Sequence, residues 1–229
     1  MKRFYLLFVT FVMAVSMVAQ VYPTKFLGIP IDGTKQEMIK KIEAKGFTYD
    51  REHDCLNGQF NGTDVFIYVK TNKDKVCQIM VMDKTGYSES YIKIAYNNLL
   101  KQFENNPKYL VADLSQKSIP DKENISYEMT VNNKLYRSYF LQITHELDTT
   151  MWIKDMERIA KEAAEQIATK YDVLGEHEQD LMGYYVEHKA ANQQYLKNIV
   201  WFQISKYADK YYLAIYYENM SNHANGEDL

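Results

Sequence analysis

Apolar and polar positions follow one layout in two separate stretches of the chain. Val65 to Asp83, VFIYVKTNKDKVCQIMVMD, and Val200 to Glu218, VWFQISKYADKYYLAIYYE, each run apolar, then polar, then apolar, and end on an acid. Both are rich in β-branched and aromatic residues around a Lys/Asp/Asn-type turn, which is the composition of a β-hairpin. They align without a gap, Val65, Asp74 and Lys75 matching Val200, Asp209 and Lys210. Ahead of each lies an L-x-G-x-aromatic segment, Leu56 to Phe60 and Leu181 to Tyr185. Further back, one amphipathic helix starts near Thr34 and another near Thr149. This recurring order predicts two tandem copies of a helix, strand and hairpin unit.

Local signals fill in the elements. Thr34 and Glu37 form a T-x-x-E capping box, Met38, Ile39 and Ile42 supply the apolar stripe, and Gly46 stops the helix. A second helix is expected from about Ser88 to Glu104, with Ile92, Tyr96, Leu99 and Phe103 at helical spacing. A third runs from Thr149 to Lys170, with Trp152, Met156, Ile159, Ala163 and Ile167 on one stripe. Asn61-Gly62 supplies the positive φ angles of a type I′ turn. The polar stretch 108–122, with Pro120, reads as a linker. Ile125, Tyr127, Met129 and Val131 alternate ahead of Asn132-Asn133, and Leu135 to Ile143 returns, which reads as another hairpin. The expected fold is therefore α+β, with helices packed on one face of an antiparallel sheet. Its organisation is a segment 1–20, a first α-β unit with its following helix at 21–107, the linker, a second unit at 123–219, and a disordered tail at 220–229.

The first segment changes where the chain is expected to work. Met1 to Gln20 has Lys2 and Arg3, an apolar run from Phe4, and small residues near Ala19, the layout of a secretory signal peptide. The run is short of the ~20 apolar residues of a spanning helix. Cleavage after Ala19 gives a periplasmic or secreted protein with no membrane anchor. The whole chain has 27 basic and 30 acidic residues; losing Lys2 and Arg3 leaves 25 against 30, a net charge of −5. Charges of both signs are interspersed. Such a surface excludes nucleic acid as a partner, since phosphate neutralisation needs a basic stripe.

The segment Lys25-Phe26-Leu27-Gly28-Ile29-Pro30-Ile31-Asp32-Gly33, the helix after it and Lys45-Gly46-Phe47 resemble a group of uncharacterised exported proteins of Gram-negative bacteria. That resemblance covers about residues 25–103 and implies an address, not an activity. The α-β-β-β order also resembles the tandem units of the beta-lactamase inhibitor protein fold, in topology alone.

No catalytic motif, cofactor signature or metal-ligand spacing is present. His53, His145, His177, His188 and His223 make no H-x-H or H-E-x-x-H pattern. A Cys55–Cys77 disulfide suits an exported protein, but pairing Phe60 with Thr63 leaves the cysteines two strand spacings apart, about 9.6 Å. A bridge is therefore disfavoured, and only a bend at Asp54-Cys55 would allow it. The one compositional oddity is 20 tyrosines, clustered late. In the last strand Lys210, Tyr212, Ala214, Tyr216 and Glu218 share one parity, bracketed by charges, and are expected to face water. Tyr211, Leu213, Ile215 and Tyr217 should face the helices. With Val200, Phe202 and Ile204 also inward, Trp201, Gln203, Tyr212 and Tyr216 form the candidate binding patch, since tyrosine gives stiff amphipathic contact area. The reading that follows is an exported, non-catalytic binding module whose sheet face recognises a protein or a glycan. A hydrolase with a scattered site and an envelope assembly or structural factor are the alternatives.

Overall fold

The computed structural model describes residues 23–112, 118–143 and 198–223. The expected signal segment, the helix from Thr149 and the L-x-G-x-Y strand lie outside them. The described chain opens with a tight hairpin, β1 (Lys25–Phe26) and β2 (Ile29–Pro30), turned by Leu27 and Gly28 at φ 51° and 79°. Helix α1 (Lys35–Glu43) follows, with both hydrogen bonds of the Thr34/Glu37 capping box in place and Met38, Ile39 and Ile42 buried. Four strands come next: β3 (Thr48–Asp50), β4 (Cys55–Phe60), β5 (Thr63–Asn72) and β6 (Lys75–Asp83). After α2 (Glu89–Glu104) come β7 (Tyr109–Val111), α3 (Ile125–Val131), β8 (Arg137–Gln142), β9 (Ile199–Tyr207) and β10 (Lys210–Glu218).

Eight of these strands form one antiparallel sheet in the order β3-β4-β5-β6-β10-β9-β8-β7. The fold is α+β, with α1 and α2 against the same face of the sheet. Their stripes meet Val65, Ile67, Val69, Ile79, Val81, Val200, Phe202, Leu213, Ile215 and Tyr217 in one core. Phe103 of α2 stacks on Phe140 and Phe202, and Tyr96 meets Phe202 edge-on at 5.1 Å. Burial of each such ring contributes ~1.5–3 kcal/mol. Gly58 of β4 is required by this packing, because a Cβ there would lie 2.4 Å from the Phe47 ring.

The two hairpins expected from the sequence pattern are β5–β6 and β9–β10, and their second strands pair along a seam in which Val81 faces Ile215. They differ by one residue. In β9–β10 the register runs from Lys210–Tyr207 to Tyr217–Val200 without a slip. In β5–β6, Lys70 faces Gln78 but Thr71 faces Val76, so Cys77 is an extra residue, a β-bulge. Its Sγ contacts the Lys70 carbonyl at 3.6 Å. The gapless alignment sets Ile79, Val81 and Asp83 against Ala214, Tyr216 and Glu218. The bulge turns the first three onto the helix side instead, where their counterparts are Leu213, Ile215 and Tyr217.

Other segments depart from expectation. Residues 125–131 are helical, not a strand: Asn124 accepts a bond from the Tyr127 amide as an N-cap, and of the four alternating apolar residues only Ile125 is buried. The stretch read as a linker contributes β7, the edge strand beside β8. The start of the tail is tied down, with Met220–Asn222 forming a 3₁₀ turn. The Asn222 side chain donates to Val76 O (2.8 Å), and Asn72 donates to Asn222 O. The K-F-x-G-I-P-I-D-G segment has a structural job. Phe26 is fully buried against Phe60 and Tyr217, Lys25 exchanges two bonds with the Gln142 amide, and Asn219 donates to Ile31 O at 2.6 Å.

Candidate functional site

The face of the sheet opposite the helices carries a row of large side chains across five strands. Tyr68, Met80, Tyr216, Trp201 and Tyr139 follow one another by register through β5, β6, β10, β9 and β8. Trp201 stacks on Tyr216 with ring centroids 3.9 Å apart and planes 7° from parallel. On its other flank Tyr139 stacks at 5.9 Å, and the Arg137 guanidinium lies over the indole at 5.5 Å. Arg137 Nε donates to Gln203 Oε1 (2.8 Å), and Gln203 Nε2 donates to the Tyr216 hydroxyl (3.2 Å).

Trp201, Gln203 and Tyr216 are therefore brought together on one face, as strand parity predicts. Tyr212 shares the face but not the cluster. It lies four residues up the strand from Tyr216, ~13 Å at strand rise, and its ring packs over Gly86, where a Cβ would come within 2.7 Å of Cζ. The face is also drier than expected: Tyr216 is 9% exposed and Ala214 1%, while Trp201 and Gln203 are half-buried. Burial pushes the Tyr216 hydroxyl above the usual tyrosine range, the Gln203 bond and Arg137 pulling the other way.

Glu218 overturns the assumption behind the wet-face reading. It is 5% exposed, not solvated, and the carboxylate is tolerated there because it is surrounded by partners. Trp201 Nε1 (2.8 Å) and Gln78 Nε2 (2.6 Å) donate to Oε1, and His223 Nε2 lies 2.8 Å from Oε2. Beside it, Gln78 is 8% exposed, and its Oε1 is a buried acceptor without a hydrogen-bond partner among the described residues.

A second site lies on the helix side and sequence reading missed it. Between α2 and the sheet, a cavity of about 210 Å³ is lined by Thr63, Asp83, Tyr87 and Asn98, among others. An adjoining one of about 230 Å³ reaches Phe103, Tyr109 and Tyr217; both include Phe60, Asn61, Leu99, Gln102 and Ile215. Asn61, at φ 51° in the β4–β5 turn, donates to the Gln102 side chain at 2.7 Å, joining turn and helix at the rim. Asp83 is aimed into the first cavity. Burial raises its carboxyl above the usual value, against bonds from Thr63 and Tyr87 and from the backbone at Leu213. The Thr63 hydroxyl is shared, 3.1 Å from Phe60 O and 3.2 Å from Asp83 Oδ1, and its single proton can satisfy one at a time. Tyr87 is held in place by two backbone bonds with Tyr211. The only sequence signal was the acid that ends the hairpin, and the bulge hid its direction.

Both cysteines are buried and free, Cys55 on β4 and Cys77 on β6 with β5 between them. Burial raises both thiols, so neither is activated as a nucleophile. Among the described residues no group of three His, Cys, Asp or Glu side chains is placed to hold a metal ion. Among them, no helix is long and apolar enough to cross a membrane. Comparison with known protein families, with curated proteins and with solved structures returns no match to this chain.

Proposed function

We propose that this chain is an exported, non-catalytic binding protein whose outer sheet face, around Trp201, Gln203 and Tyr216, recognises a protein partner. The observation that carries this reading is the half-buried Trp201, stacked between Tyr216 and Tyr139 with the Arg137 guanidinium over its ring. Trp201 and Gln203 are half-buried beside the buried Tyr216, aromatic and amide groups of the kind that dominate recognition surfaces. A glycan is less well served. Both flanks of the Trp201 ring are occupied by Tyr216 and Tyr139, leaving no free face for a sugar to stack on.

Export rests on the Lys2-Arg3 start and apolar run of residues 1–20. Duplication of an α-β unit is also part of the reading. It is supported by a strand order that runs outward from the Val81–Ile215 pair as β6-β5-β4-β3 on one side and β10-β9-β8-β7 on the other.

The test is a photo-cross-linking residue placed at Gln203, with the same residue at Tyr207, the exposed last residue of β9 at 78% accessible, as control. In the envelope fraction, a protein adduct from position 203, absent from 207 and lost on Arg137→Ala in a folded variant, is the expected result. Equal labelling from both positions, or none from 203, refutes the reading.

A further inference from the structure

The bulge at Cys77 turns Asp83 out of line with Glu218 and into the cleft under α2, and bulges commonly re-aim side chains beside functional sites. We propose that this cleft binds a small molecule carrying one ammonium group on an apolar body, the ammonium seated on Asp83. The proposal is independent of the outer-face reading, because the two sites lie on opposite sides of the sheet.

Charge sets the ligand's head group. Among the described residues that line the two cavities, Asp83 is the one that carries a charge. A carboxylate held out of water without a cation is unfavourable, and its neighbours do not supply one. Lys84 follows it in sequence, but its ammonium lies over the Phe66 ring, 4.9 Å from the centroid, and Phe66 is on the outer face. Among the described residues no basic side chain contributes to the electrostatics of Asp83, whose partners are hydroxyls and backbone. A bound ammonium supplies the missing charge through charge-assisted hydrogen bonds to the carboxylate. The Phe60 and Tyr87 rings of the same cavity add cation–π attraction.

Volume and lining set the body. Each cavity is below the ~300 Å³ at which drug-sized sites begin, so the occupant is one ring or a short alkyl chain. Val65, Val81, Leu99, Leu213 and Ile215 give it an apolar bed. Asn98 and Gln102 leave room for one further polar group. The matching class is a primary aryl-alkyl or alkyl amine.

The test uses 2-phenylethylamine and its neutral analogue 2-phenylethanol, titrated into the full chain and followed by amide chemical shifts. The amine is expected to bind with Kd on the order of 1 mM or tighter, shifting α2 and β6 signals. The alcohol should bind about tenfold more weakly, the scale of one charge-assisted bond. Asp83→Asn, which keeps the side-chain shape, should reduce amine affinity to that of the alcohol. Ala95→Leu fills the cavity with the carboxylate intact and should abolish binding of both. Equal affinity for amine and alcohol, undiminished amine binding in the Asp83→Asn protein, or shifts confined to the Trp201 face would each overturn the proposal.

Discussion

Asp83 and Glu218 close two hairpins that look alike in sequence, yet they end on opposite sides of the same sheet. Glu218 sits on the outer face, enclosed by Trp201, Gln78 and His223. Asp83 sits on the helix side, in a cavity, with a shared threonine hydroxyl and a tyrosine as its side-chain partners. What separates them is the single extra residue, Cys77. Because side chains alternate with period two, one inserted residue moves everything beyond it to the other face until the strand ends. The comparison teaches that a bulge can convert a structural acid position into a ligand-facing one without changing the hydrophobic pattern around it.

The largest effect should come from removing that residue. Deletion of Cys77 would turn Ile79 and Val81, both buried, away from the core unless β6 slips and breaks its pairing with β10. Two such side chains cost on the order of 5 kcal/mol or more, comparable to the whole stability of a domain. The deletion variant is expected to lose near-ultraviolet circular dichroism and cooperative thermal unfolding. Cys77→Ala, which keeps the backbone count, should retain both. A deletion variant that melts like the parent would show that the bulge does not hold the register.

The next effect separates the two acids. Glu218→Ala leaves the Trp201 indole donor and the Gln78 amide without their common acceptor. Hydrogen bonds to charged groups are each worth about 1.5–3 kcal/mol, so a loss of about 3 kcal/mol in urea unfolding is expected. Asp83→Ala removes a carboxylate that lacks a cation, and should change stability by less. Equal losses at both positions would erase the distinction.

Much of this architecture was legible in the chain. The Thr34/Glu37 capping box, the Asn61-Gly62 turn, the stripe from Ile92 to Phe103 and both hairpins rest on local chemistry within a few residues. What failed was either masked by local pattern or set at long range. Residues 125–131 alternate with the period of a strand, but they form a helix capped by Asn124 that buries Ile125, packs Met129 partly against the core and leaves Tyr127 and Val131 exposed. The bulge carries no glycine or proline to mark it, so nothing near Cys77 signals that Asp83 turns inward. Strand parity alone puts Glu218 in water, since a buried charge needs partners; its partners come from β6, β9 and the residue that caps the 3₁₀ turn, which no window along β10 can reveal. The same distance hid the cleft, whose walls come from β4 to β6, α2 and β10.

Asp83 lies desolvated in the cleft, and titration of its carboxyl carbon by ¹³C NMR in the full chain measures this. Burial raises its folded pKa above the unfolded value, which is about 3.9 for aspartate. The sign for stability follows: the contribution is fully present below about pH 3.9 and is lost as pH rises through the folded pKa. Asp83→Asn should remove that decline. The expected titration midpoint lies above about 3.9; a midpoint at or below that value would place Asp83 in water or on a cation and contradict its desolvation.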